Sequence, residues 1–211
     1  MSTILVVGDS YANGRGCSDT VHGDQTPSKH CWAALLQKKI TCSTLKNLAL
    51  PGSDNITIAR SVWDNIDSTV STIMFCGTFM SRAQVKNPQD DSKTESILAN
   101  YHKKNLSEFK EYYAAVGNYY RYLYSDRVGE NISVAALMSA YACATQLNAK
   151  FYWSLPYGHE MVNHPALSLI KHCQITACGD LDYSPTELAA CGHPNDAGHM
   201  RYFREVIDPL F

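Results

Sequence analysis

Short apolar runs alternate with longer amphipathic stretches along the first third of the chain. "TILVV" (Thr3 to Val7) is a β-branched apolar run closed by Gly8, a pattern that predicts a buried strand. "PSKHCWAALLQKKI" sets Trp32, Leu35 and Leu36 on one helical face, with Pro27 and Ser28 as start signals. "TLKNLALPG" predicts a second short strand stopped by Pro51 and Gly52. "SDNITIARSVWDNI" predicts a second helix, capped by Ser53 or Asp54, with Ile56, Ala59, Val62 and Trp63 at helical spacing. "STIMFCG" predicts a third buried strand ending at Gly77. Strand, helix, strand, helix, strand is the order of a parallel sheet covered by helices.

The middle of the chain breaks this alternation. "RAQVKNPQDDSKTESILANYHKKN" is a polar excursion, expected as a lid-like segment over about residues 82–105. In the next stretch Tyr112, Tyr113, Val116, Tyr119, Tyr120 and Leu123 share one helical face. That face reads either as a packing surface with phenols at its rim or as an aromatic wall for a sugar or acyl group. "ISVAALMSAYACATQLN" predicts a strongly apolar helix and "KFYWSLP" a fourth strand. "NHPALSLIKHC" predicts a short helix and "QITAC" a fifth strand. "NDAGHMRYFREVIDPLF" predicts a closing helix with an Asn/Asp cap and a face of Ala197, Met200, Tyr202, Phe203 and Val206. With neither an internal repeat nor a linker, residues 1–211 read as one α/β domain.

Composition narrows the classes of function. The chain has 211 residues, 45% of them apolar and 18% charged, which suits a packed core. A net charge of -2 gives no basic field for nucleic acid. No run approaches the roughly 20 apolar residues of a membrane span, and "ILVV" runs straight into "GDS" without a leader pattern, so neither a membrane nor export is expected and the cytoplasm is the expected compartment. The eight cysteines are scattered without a C-x-x-C pair, the pattern of buried thiols rather than of a disulfide framework. No Cys/His pair has zinc-finger spacing, so no metal is expected. "GDSYANGRG" lacks both G-x-G-x-x-G and the P-loop lysine, which disfavours a nucleotide or other cofactor.

The loops carry the chemistry. In open parallel sheets, ligands bind beyond the carboxyl ends of the strands. "GDSYANG", "PGSDN" and "CGTFMSR" follow the first three strands, and "CGHPNDAGH" precedes the last helix. Ser10 would stand exposed on the first turn, and a serine hydroxyl needs an adjacent base to become a nucleophile. His193 is the natural base, because imidazole titrates near neutrality. Backbone N–H groups of Ser10 and Gly52 would hold the negative charge that forms on an attacked ester carbonyl, Gly52 having no side chain to block approach. Asp9 reads as the acceptor that fixes the Ser10 turn or, alternatively, as a catalytic acid. Asn13, Gly14 and Gly16 would keep the first loop open. Arg82 reads either as a clamp for an anionic group or as a surface salt bridge. His22, His30, His159, His164 and His172 read as surface or core histidines, although His164-Pro165 imitates the terminal motif.

In this order and context, "GDSYANG", "LPGSDN" and "HPNDAGH" resemble the first, second and last blocks of the SGNH (GDSL-type) hydrolases. The resemblance implies a three-layer α/β/α sandwich with a flavodoxin-like parallel sheet. It also implies a metal-free ester hydrolase with Ser10 as nucleophile, Gly52 in the oxyanion hole and His193 as base. The two end motifs match closely, and the chain departs from the pattern at two other positions. The family carries an Asp three residues before the histidine, where this chain has Ala190; Asp180, Asp182 and Glu187 lie upstream, and a Ser-His dyad is the default. The family's oxyanion Asn is replaced by Phe79, which cannot donate a hydrogen bond. Thr78, Ser81, Arg82 or Asn55 would replace it, with Asn55, Thr78 and Arg82 expected on the substrate. "PGSDN" followed by a Thr- and Arg-bearing loop also resembles a divergent group of such proteins seen among bacteriophages. The implied activity is hydrolysis of small acyl or O-acetyl esters, carbohydrate esters among them; the alternative is a catalytically degenerate protein that kept the fold for binding or structure.

Overall fold

A computed structural model describes residues 2–21, 25–41, 43–87, 94–98, 109–156, 164–170 and 174–211. Four parallel strands form the central sheet: β1 (Ser2–Gly8), β2 (Ser43–Asn47), β3 (Val70–Cys76) and β6 (Lys150–Ser154), in the order β2-β1-β3-β6. β1 and β3 are mostly apolar and buried, as strands covered on both faces require, whereas the edge strand β2 has no fully buried position. The alternation of β1 assigns its side chains to two cores. Leu5 and Val7 join Ile73, Phe75, Phe151 and Trp153 on one face. Ile4 and Val6 join Met74 on the other.

Helices α3 (Asn55–Trp63) and α5 (Asp126–Gln146) cover the first face with Ile58, Ala59, Val62, Leu137 and Ala140. Helices α2 (Trp32–Lys39) and α6 (Asp196–Tyr202) cover the second with Trp32, Leu36 and Tyr202. The result is the expected three-layer α/β/α sandwich. The chain runs from β1 outward to β2 and then returns across β1 to β3, so the winding reverses between β1 and β3. The carboxyl edge of that reversal is where such sheets open a crevice.

Several elements differ from the sequence expectation. Pro27 and Ser28 do not start α2; the Ser28 hydroxyl donates to Asp19, and the helix begins at Trp32. The polar excursion contains an antiparallel pair, β4 (Ala83–Lys86) with β5 (Thr94–Ile97). Residues 88–93 and 99–105 of the expected lid lie outside the described residues. The tyrosine-rich helix splits into α4 (Lys110–Asn118) and a wider π turn over Tyr119–Leu123, which breaks the 3.6-residue period and leaves Leu123 exposed. The short helix after His164 is a 3₁₀ turn over Pro165–Leu169. The expected fifth strand is reduced to one parallel bridge between Trp153 and Gln174.

Candidate active site

The carboxyl end of β1 delivers Asp9 and Ser10. Asp9 caps the short helix α1 (Ser10–Asn13), its Oδ1 accepting the Tyr11 N–H at 3.0 Å. This cap fixes Ser10 at the first helical position, 6% exposed. Asn13 turns inward and donates to the carbonyls of Gln25 and Ala49, each at 3.0 Å, tying the turn to the loop after β2.

His193 reaches the same point from the far end of the chain. A tight turn presents it: Gly192 N–H donates to the Ala189 carbonyl at 2.9 Å, and Ala189 N–H donates to the His193 carbonyl at 2.8 Å. Asn195 then caps α6, its Oδ1 accepting from Ala197 N–H at 2.9 Å and Gly198 N–H at 3.2 Å. The outcome is a 3.0 Å contact between His193 Nε2 and Ser10 Oγ.

The two loops interlock. Gly16 has φ +109°, and a Cβ there would meet the Pro194 carbonyl oxygen at 2.6 Å and the His193 Cβ at 3.0 Å. Only glycine allows this approach. The Tyr11 ring lies 4.9 Å from the imidazole, tilted by 36°. Outside, Ser18 donates through its N–H and hydroxyl to Asp196 at 2.8 and 2.7 Å, and His30 Nδ1 bonds the same carboxylate at 2.9 Å. These bonds hold the Asp196 carboxyl down to about 2. His30 is therefore a clamp residue, while His164 caps its own 3₁₀ turn, Nδ1 accepting from Ala166 N–H at 3.2 Å. His22, His159 and His172 lie outside the described residues.

Burial holds the His193 pKa below its ordinary value; Asp9 and the Cys191 backbone push it up, whereas Arg15 and Arg82 push it down. The ring is therefore neutral at pH 7 and ready to accept a proton. Its Nδ1 is buried, and no acceptor among the described residues meets it at full hydrogen-bond geometry. Besides Ser10 at Nε2, the Cys191 backbone is a hydrogen-bonding group that acts on the ring. Ala190 supplies no acid, and Glu187 is engaged elsewhere, accepting from Ser184 and Arg201. Burial pushes the Cys17 and Cys76 thiols up to about 12, which keeps both protonated at neutral pH.

The opposite wall is differently made. Gly52 has φ +85°, in the left-handed region. The N–H groups of Ser10 and Gly52 donate to no described residue. Asn55 and Thr78, expected on the substrate, instead turn inward and bind each other. Asn55 Nδ2 donates to the Thr78 carbonyl at 3.0 Å and to Ser133 Oγ at 2.9 Å, and its Oδ1 accepts the Thr78 N–H at 2.8 Å. The Thr78 hydroxyl donates to Asp9 Oδ2 at 2.7 Å. All their side-chain donors are thereby used, so neither replaces the oxyanion Asn. Arg82 is no surface salt bridge: its side chain is 10% exposed, and Nη1 donates to Asp9 Oδ2 at 3.2 Å and to the Ser53 carbonyl at 3.4 Å. The Asp9–Arg82–Thr78 cluster was not legible as a unit; the carboxylate after the strand and the two donors past β3 were its only trace.

No protein-family model matches the chain, and no curated protein matches it. Solved structures do match over nearly its whole length. TesA is similar at 15% identity and TM-score 0.56, covering 96% of this chain and 94% of that one. The extracellular lipase from Streptomyces rimosus is similar at 13% identity and TM-score 0.53, covering 100% of both chains. The psychrotrophic esterase EstA from Pseudoalteromonas sp., inhibited by monoethylphosphonate, is similar at 13% identity and TM-score 0.56, covering 100% of this chain and 97% of that one. The chain has the fold of the SGNH hydrolases, and its serine and histidine meet at the carboxyl edge of that fold's parallel sheet.

Proposed function

We propose that this chain acts as one domain and is a serine hydrolase of carboxylic esters. The observation that carries the reading is the 3.0 Å contact between Ser10 Oγ and His193 Nε2 on a fold shared with an esterase and a lipase. Ser10 Oγ attacks the ester carbonyl carbon as its proton passes to His193 Nε2. The Ser10 and Gly52 N–H groups hold the oxyanion. The bond to the alcohol oxygen then breaks, and His193 returns the proton to that oxygen. Water, deprotonated by His193, cleaves the acyl-serine; a carboxylic acid leaves and Ser10 regains its proton. The acyl group is small, acetyl being the first candidate. The cytoplasm is the proposed compartment. Cys17, Cys31, Cys76, Cys143, Cys178 and Cys191 are free thiols, as a reducing compartment keeps them.

A second reading is favoured by one specific observation: His193 Nδ1 lacks an acid to orient it. On that reading the fold persists as a binding protein and the Ser10–His193 contact is a remnant. Turnover of p-nitrophenyl acetate and labelling by a fluorophosphonate separate the two. The hydrolase reading expects both, and expects Ser10→Ala to lose labelling and at least about 10⁴-fold in kcat. Folded protein that neither turns over nor labels establishes the binding reading.

A further inference from the structure

A histidine base needs a fixed ring and a partner for the cation it becomes. In a Ser-His-Asp site the acid supplies both, and Ala190 supplies neither. The backbone around His193 settles only where its turn stands: Gly16 packs on Pro194, and Ser18 bonds Asp196 at 2.8 and 2.7 Å. Rotation of the imidazole about its own side-chain bonds is governed by what touches the ring. Ser10 Oγ meets it at Nε2, 3.0 Å away.

Tyr11 meets its face. The two ring centroids are 4.9 Å apart and their planes differ by 36°, closer to stacked than to edge-on. Tyr11 is itself held. Its N–H donates to Asp9 Oδ1 at 3.0 Å, and its partly buried ring packs against the core of the second sheet face. Gly179 lies against the same ring, where a Cβ would stand 3.2 Å from Cε1 and Cζ. The turn that presents Ser10 thus also carries a fixed aromatic ring to its base.

The charges nearby leave the imidazolium in need of such a neighbour. Burial opposes the cation most, and Arg15 and Arg82 oppose it further. Asp9 favours it, but that carboxylate is shared with Arg82 Nη1 and the Thr78 hydroxyl. Asp196 is tied to Ser18 and His30, and buried His199, with its pKa lowered to about 4, carries no charge at pH 7. An aromatic π face attracts a cation within about 6 Å of its centroid and takes no proton itself.

We infer that Tyr11 is the positioning residue of His193: its ring holds the imidazole in line with Ser10 Oγ and stabilises the imidazolium formed when the serine proton reaches Nε2. The inference rests on the ester-hydrolase reading and gives Tyr11 the part that an acid would take.

Two variants test it. Tyr11→Leu keeps an apolar side chain and removes the π face, whereas Tyr11→Phe keeps the face and removes the hydroxyl. Titration of the His193 ring Cε1–H by NMR, the signal identified by its loss in His193→Gln, needs no turnover. The midpoint should fall by about half a pH unit in Tyr11→Leu and hold in Tyr11→Phe. Packing alone predicts the opposite sign, because a smaller side chain admits water and relief of burial raises the midpoint. On p-nitrophenyl acetate, kcat should fall about fivefold in Tyr11→Leu with KM within about twofold, and Tyr11→Phe should restore it. A midpoint that stays or rises in Tyr11→Leu, or a Tyr11→Phe variant as impaired as Tyr11→Leu, overturns the inference. A midpoint that falls in a protein without turnover supports the hold of Tyr11 on the ring and overturns the hydrolase reading alone.

Discussion

The two walls of the candidate site are built on different principles. On the Ser10–His193 wall, small residues and close backbone packing set the geometry: Gly16 against Pro194, a tight turn before His193, and a Tyr11 ring beside the imidazole. On the Gly52–Arg82 wall, side-chain hydrogen bonds set it: Asp9 gathers Thr78 and Arg82, and Asn55 locks Thr78. The first wall keeps the elements that bring a base to a nucleophile. The second places Phe79, which offers no hydrogen-bond donor, after Thr78 and is supported by buried polar groups. Close packing tolerates no added atom, whereas a bonded network loses one member at a time, so substitutions on the two walls should differ in kind.

The largest contrast is expected at Gly16. Gly16→Ala sets a methyl group against the Pro194 backbone and displaces His193. Since a displacement of about 1 Å costs roughly 100-fold, kcat on p-nitrophenyl acetate should fall by about that factor while the far-ultraviolet dichroism is retained. Full activity in this variant would show that the loops are not interlocked in solution.

Next comes a pH effect on stability from the same wall. His199 is fully buried on the inner face of α6; Nδ1 accepts the Trp32 N–H at 3.5 Å, and burial lowers its pKa to about 4. An unfolded histidine titrates near 6.5. Between those values the unfolded chain binds a proton that the folded chain refuses, so stability present above pH 6.5 is lost as pH falls toward 4. The loss amounts to roughly 3 kcal/mol. Denaturation midpoints at pH 7 and 4.5 should show it, and His199→Gln should flatten the difference.

Thr78→Val sharpens the comparison from the other wall. It removes one donor to Asp9 and leaves Arg82 and the Tyr11 N–H in place. The expected cost is about 1–2 kcal/mol of stability by chemical denaturation and less than about tenfold in kcat. A kcat loss as large as that of Gly16→Ala would erase the distinction between the walls.

The smallest effect reads the base itself. His193 must be neutral to accept the serine proton, so kcat/KM should rise with pH through a midpoint below 6.5, the ordinary histidine value from which this ring is lowered. Arg15 contributes to that lowering. Arg15→Gln should therefore move the acid limb upward, by a few tenths of a pH unit for a partly screened charge. A downward shift would contradict the assignment of the limb to His193.

The same contrast explains what the sequence disclosed. β1, β3 and β6 were legible because largely buried strands read as short, mostly apolar runs followed by Gly8, Gly77 or Pro156. The meeting of Ser10 and His193 was legible because their motifs combine residue type with a position at a strand or helix end. The face of α3 was misread. Asn55 is buried because its amide finds Thr78 and Ser133, and this turns Ile56 and Trp63 outward to 36% and 41% exposure. On α6 the inward face is Gly198, His199 and Tyr202 rather than Ala197 and Met200. A Cβ at position 198 would lie 2.6 Å from the Glu187 carbonyl oxygen, a tertiary constraint with no periodic signature. The β4–β5 pair was hidden because "AQVK" and "TESI" carry too few apolar residues for a period-two pattern. Polar partners fixed by tertiary structure lie outside what hydrophobic periodicity records.

The bond between Ser10 and His193 joins positions 183 residues apart. Contacts of such long range carry a loop-closure cost that must be met before they form. Catalytic competence thus serves as a natural readout of completed folding: in a refolding experiment, reactivity toward a fluorophosphonate should return after the helical signal, by an interval set by docking of the α6 segment. On the proposed hydrolase reading, a chain arranged this way has no working nucleophile until Ser10 and His193 have met.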